Sequence, residues 1–158
     1  MQAWIFTHSD VTLEHWMADF ETTFEAWHAG GVRGIVVGRL EFRTADGNRI
    51  PSWQPDPAVF KTFGEVPPPP AARDPEKEKR LHAMLDNAAE RGWQIMLFGG
   101  YRGLAGTQDV MNAYPQAHGV IIDGPGENHY ELMFHHGGEL FDTRQRVLDT
   151  FEVLGGRR

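Results

Sequence analysis

The stretch from His118 to Gly138, HGVIIDGPGENHYELMFHHGG, puts Asp123 directly behind an apolar run and breaks the chain at Gly124-Pro125-Gly126 before Glu127, His129 and Glu131. Two carboxyl groups this close can divide proton work, one held as an acid that gives a proton and the other as a carboxylate that takes one or attacks. Asp123 and Glu127 are therefore the candidate catalytic pair. His129, Glu131, His135, His136 and Glu139 could instead offer nitrogen and oxygen ligands, which keeps a metal-dependent hydrolase open as an alternative. Their spacing matches no tight signature such as H-E-x-x-H, so neither a metal nor any other cofactor is expected.

Similar polar groups recur wherever an apolar run ends. His8 and Asp10 follow Ala3 to Thr7; Arg39 and Glu41 follow Gly34 to Gly38; Tyr101 and Arg102 follow Trp93 to Phe98. In parallel α/β sheets sites gather at the C-terminal strand ends, so these residues and His129 are candidate substrate-binding groups. Trp53, with Phe60 and Phe63 in the same long loop, offers an aromatic face to a ligand. Ser9, Asp10 and Asp123 could equally cap helices or brace turns, and it is their joint position that points to a site. Gly100 to Gly106 holds glycines and an arginine but neither a G-x-G-x-x-G pattern nor a Walker lysine, so it is not a phosphate loop by motif.

The elements that must position these groups alternate in type. Ala3 to Thr7 reads as a buried strand. Leu13, Trp16, Met17, Phe20, Phe24 and Trp27 recur at helical spacing and predict one helix over 12–29, closed by Gly30-Gly31. Gly34 to Phe42 reads as a second interior strand. A long loop is expected over 43–73, with a turn at Asp46-Gly47 and a stiff spacer at Pro67 to Pro70. Asp74-Pro75 opens a helix with Leu81, Met84, Leu85 and Ala88 inward and Gly92 as its stop. A third strand over 93–98, a glycine-rich loop over 99–106, a short helix over 109–114, a fourth strand over 119–122 and a final helix over 143–154 complete the order.

Repeated strand-helix units imply a parallel sheet with helical crossovers, in one α/β domain spanning 1–158. With 158 residues the chain can bury one core. A net charge of -7 with no basic patch argues against nucleic acid and for neutral or cationic ligands. The absence of cysteine removes disulfide and thiolate chemistry. No apolar stretch is long enough for a membrane span and MQAWIFTHSD is not a signal peptide, so a cytoplasmic protein without a membrane partner is expected.

The segments WHAGGVRGIVVG, DPEKEKRLHAMLDNAAERGWQIMLFGG and GVIIDGPGENHYELMFHHGGELF together resemble the N-terminal half of bacterial glycoside-hydrolase-like TIM barrels. The resemblance implies a parallel (βα)4 half-barrel, part of a (β/α)8 barrel whose complete parent hydrolyses a glycosidic bond of a small-molecule or oligosaccharide substrate by carboxylate acid/base chemistry, with the nucleophile commonly on a later strand. Barrels of this size need about 250 residues, so an incomplete barrel is expected, with FEVLGGRR standing where a fifth strand would begin. A small doubly wound parallel sheet is the alternative fold. Glycoside hydrolysis needs two carboxyl groups, and many members of such families end the fourth strand on Asn-Glu, with Glu as acid/base. Here the order is Asp-Gly-Pro-Gly-Glu-Asn, which leaves the role to Asp123 or Glu127. A non-catalytic half-barrel that binds a ligand, or self-associates through its open sheet edges as a homo-oligomer, is the alternative function.

Overall fold

A computed structural model describes residues 2–7, 9–38, 40–69, 72–98 and 103–121. The apolar runs form four parallel strands, β1 (Ala3–Thr7), β2 (Val32–Gly38), β5 (Gln94–Phe98) and β6 (Gly119–Ile121), hydrogen-bonded in the order β1-β2-β5-β6. The strand order never reverses among the described strands, so they contain no switch point of the doubly wound kind. With right-handed crossovers, sequential order puts every connection on the same face of the sheet.

That face holds the core. Register sets Ile35 beside Ile5 and Ile95, and Val37 beside Leu97, so alternate residues of neighbouring strands point the same way. Against them pack Leu13, Trp16 and Phe24, then Leu81, Met84, Leu85 and Ala88, then Val110, Met111 and Tyr114, in one cluster. Phe24 is its aromatic centre, with ring centroids 4.9 Å from Trp93, 5.6 Å from Trp27 and 6.3 Å from Trp16. Each fully buried side chain of this kind contributes about 1.5–3 kcal/mol of apolar burial.

The opposite face is also apolar, carrying Trp4, Phe6, Val36, Met96, Phe98 and Ile121. Trp4 lies across Gly34, where a Cβ would come within 2.6 Å of its ring, and Phe6 reaches over β2 to Phe98 at 5.3 Å between centroids. Trp4 and Phe6 nonetheless remain 43% and 46% exposed, so β1, expected as a buried strand, is instead a largely exposed one at the end of the described strand order.

The stripe expected to make one helix makes two, α1 (Asp10–Ala18) and α2 (Phe20–Ala29). Asp19 leaves helical geometry at φ -146, ψ 44 and turns its backbone N–H to the Trp16 carbonyl. The break is filled from a distance. Arg80 donates to the Met17 carbonyl and to the Ala18 carbonyl at 3.2 Å, stacks over Phe20 at 4.3 Å and pairs with Glu21. Because these donors satisfy carbonyls that the helix has dropped, Leu13 to Phe24 can stay inward without a continuous helix.

The second expected strand also divides: β2 ends at Gly38, and Glu41–Arg43 (β3) pairs antiparallel with Arg49–Pro51 (β4). The expected turn is present at its tip, with Gly47 at φ +80. The connection over 43–73 is long as expected but not structureless, because Asp56 caps a short helix α3 (Pro57–Thr62) by accepting from Ala58 N–H at 2.9 Å. α4 (Pro75–Glu90) starts where its signals place it, with the Asp74 side chain accepting from Lys77 N–H at 3.1 Å. The short helix expected over 109–114 begins earlier, as α5 (Gly103–Ala113), so Gly103 and Gly106 belong to a helix rather than to the loop. Among the described residues no helix is long and apolar enough to cross a membrane.

Candidate functional site

α3, in the connection that follows β2 and the β3–β4 hairpin, packs on α5, which follows β5 in the chain. Between them lies a cleft of about 220 Å³ lined by Trp53, Phe60, Glu65, Val66, Pro68 and Asp109, with Pro55 and Gly106 completing the wall. Its floor is fixed by Asp109, only 3% exposed. Asp109 Oδ2 accepts from Trp53 Nε1–H at 2.8 Å and Oδ1 accepts from Asp56 N–H at 2.9 Å, so one carboxylate on α5 pins both the indole and the start of α3. Among the described residues Glu65 makes a single long contact, accepting from Ala105 N–H at 3.4 Å. A carboxylate has about four lone-pair sites, which leaves Glu65 capacity to accept from a hydroxyl or a cation in the cleft.

A second hydroxyl-based tie holds the same loop. Tyr114 O–H donates to the Ser52 carbonyl at 2.8 Å, and the Ser52 hydroxyl and the phenol oxygen lie 2.6 Å apart. Burial keeps the phenol neutral by pushing its pKa well above the ordinary 10, more than the Ser52 hydrogen bond lowers it.

Beside β1, Asp10 is buried under the β3–β4 hairpin. Its Oδ2 accepts from Arg43 Nε–H at 3.0 Å and from Arg49 Nε–H at 3.4 Å. Burial works to raise its pKa, but the Arg43 hydrogen bond and the charges of Arg43 and Arg49 together outweigh it and hold the carboxyl below the ordinary 3.8. Glu14 extends the tie, accepting from Arg43 N–H at 3.2 Å and from Lys77 Nζ at 2.7 Å.

Of the residues singled out by sequence, Trp53 lines the cleft, Asp10 forms the hairpin tie and Glu41 opens β3. His8, Arg39, Tyr101, Arg102, Asp123, Glu127 and His129 lie outside the described residues, as does the helix expected over 143–154. Of the aromatics expected in the loop, Phe60 joins Trp53 in the cleft and Phe63 does not line it, and the structure adds Glu65 and Asp109. Asp109 reads in sequence as a helix-start acid, and Glu65 sits ahead of a proline run with no pattern around it, so neither carries a local signal. Among the described residues no group of three or more His, Asp or Glu side chains is placed to hold a metal ion.

Comparison of the chain with protein-family models, with curated proteins and with solved structures finds no match. The functional reading therefore rests on the residues and their arrangement.

Proposed function

We propose that the protein is a carbohydrate-active, glycoside-hydrolase-like half-barrel that holds a saccharide at the C-terminal end of its sheet. The observation that carries this reading is the cleft in which an indole and a phenyl ring stand beside Glu65. Sugars present apolar C–H faces and hydroxyl edges together, and this cleft offers aromatic surface and a hydrogen-bond acceptor together. At about 220 Å³ it has room for one sugar ring. The half-barrel reading is supported, among the described residues, by sequential strand order, by core helices packed on one face and by a largely apolar opposite face, the one that would line a barrel interior. The hydrolytic acids in this reading are Asp123 and Glu127, which follow β6 directly in the chain. One would protonate the leaving oxygen and the other serve as nucleophile or base.

The test is a titration with mono- and disaccharides, read by tryptophan fluorescence in the wild type and in Trp53→Phe, alongside a chromogenic-glycoside screen. Saturable quenching that is lost in Trp53→Phe supports the cleft. Turnover reduced a hundredfold or more in Asp123→Asn and Glu127→Gln, with folding intact, supports the chemistry. Wild-type turnover in both carboxylate variants refutes the catalytic assignment, and saccharide binding unchanged in Trp53→Phe refutes the cleft.

A second reading, a self-associating non-catalytic half-barrel, is favoured by the exposure of Trp4 and Phe6 on a sheet face that is apolar apart from Gln94. Covering such a face against a second copy removes it from water.

A further inference from the structure

We propose that Arg43 and Arg49 form a clamp for an oxyanion, a carboxylate, sulfate or phosphate group, on the solvent side of the β3–β4 hairpin. The two arginines are direct cross-strand partners in this antiparallel pair. Like charges placed opposite one another in a sheet are destabilising. A two-stranded hairpin has no need of such a pair, and any neutral residue at either position would remove the repulsion. Asp10 offsets only part of it at the contact itself: one carboxylate faces two guanidinium groups, both bound to the same oxygen, while Glu41 stands two residues from Arg43 on the same face of β3.

The manner of that contact matters as much as the charge. Both arginines use Nε on Asp10 Oδ2, at 3.0 Å and 3.4 Å, so their Nε atoms are at most about 6.4 Å apart by the sum of the two distances. Among the described residues the terminal Nη groups of both make no hydrogen bond or ion pair, and neither guanidinium pairs with any carboxylate but Asp10. The side chains remain 46% and 42% exposed. Glu14 and Lys77 beside the hairpin are spent on one another and on the Arg43 backbone, so they cancel in charge and leave the guanidinium faces alone. Each Arg is thus oriented by a buried anchor while its outward donors stay available. An oxyanion seated across both would receive the paired N–H geometry that guanidinium groups supply and would complete the neutralisation that Asp10 begins. The hairpin leads through Pro51 and Ser52 to Trp53, so an acidic saccharide could present its charged group here. A free inorganic anion would satisfy the same donors.

The test is titration of the wild-type chain at low ionic strength with sodium sulfate, with glucuronate and with glucose, read by calorimetry and by backbone amide shifts of residues 41–51. Saturable binding of sulfate or glucuronate, none of glucose at this hairpin, and affinity reduced tenfold or more in Arg43→Gln and Arg49→Gln are expected. Tighter binding of glucuronate than of sulfate assigns the anion to a sugar acid; the reverse assigns it to an inorganic ion, and either outcome supports the clamp. Asp10→Asn separates the clamp from diffuse attraction: it makes the patch more positive yet removes the anchor, so a clamp weakens and a diffuse field strengthens. Stronger anion binding in Asp10→Asn, undiminished binding in both arginine variants with melting temperature retained, or no saturable anion binding in the wild type overturns the proposal. Because the readout is anion binding at 41–51, its failure leaves the tryptophan cleft standing, and failure of the cleft leaves the clamp standing.

Discussion

Asp109 and Asp10 are both buried carboxylates, and their surroundings give them different work. Among the described residues Asp109 receives N–H donors from the loop it holds, so truncation to Ala leaves the Trp53 indole N–H and the Asp56 amide without their acceptor. Trp53 is half-buried and Asp56 exposed, so water can take over part of each contact and a loss of about 0.5–1.5 kcal/mol per bond is expected. Asp109→Ala should therefore lower the urea midpoint, and it should also weaken saccharide binding in the cleft by releasing Trp53. Asp109→Asn keeps one acceptor oxygen and should fall between the wild type and Ala on both measurements. Asp10 is charge-paired, and its folded pKa lies below the ordinary 3.8 despite burial. A lowered folded pKa means that the unfolded chain takes up the proton first as pH falls. The stabilisation is therefore complete above 3.8 and is lost as pH drops through the lower folded value. The stability difference between wild type and Asp10→Asn, from urea melts between about pH 6 and about pH 2, should be flat at the upper end and shrink towards the lower.

Elements in this protein are placed by contacts that arrive from other elements. α1 and α2 are separated at Asp19 because Arg80 of α4 supplies the donors that Met17 and Ala18 would otherwise lack. β1 and β2 come close because glycines in β2 leave room, but for two different neighbours. A Cβ at Gly38 would meet the Thr7 carbonyl oxygen at 2.4 Å, whereas one at Gly34 would meet the half-exposed ring of Trp4. Backbone held in a sheet ladder cannot yield, while a side chain at the surface can swing away. Gly38→Ala should therefore cost about 1–3 kcal/mol, as overpacking does, and Gly34→Ala clearly less. Denaturant midpoints of the two variants measure the difference, and a larger cost at Gly34 would mean that Trp4 is pinned.

Across the whole molecule, the asymmetry between the two faces of the sheet is the dominant feature. One face carries every described helix that enters the core, and the other carries Trp4, Phe6, Val36, Met96, Phe98 and Ile121. Apolar area removed from water is worth about 25 cal/mol per Å², enough to drive association where rings stand exposed. Sedimentation velocity at micromolar concentration should show self-association in the wild type, reduced in Trp4→Glu. A wild type that sediments as a monomer at all concentrations would remove the second functional reading.

Several elements were legible because their signals are local. The apolar run of β1, the Asp74-Pro75 start of α4, the Asp46-Gly47 turn and the Gly119 start of β6 each depend on residues adjacent in the chain, which act through backbone preference and capping before any tertiary contact forms. The parallel α/β class follows from their alternation. The sequence also marked Trp53 and Asp10 as functional candidates, but not what they touch. The break at Asp19, the pinning of Trp53 by Asp109 and the convergence of Arg43 and Arg49 on Asp10 join residues far apart in the chain. No spacing rule covers such pairs, because charge and hydrogen-bond partners are chosen by proximity in space. Tertiary structure alone decided them, together with which face of the sheet the helices would bury.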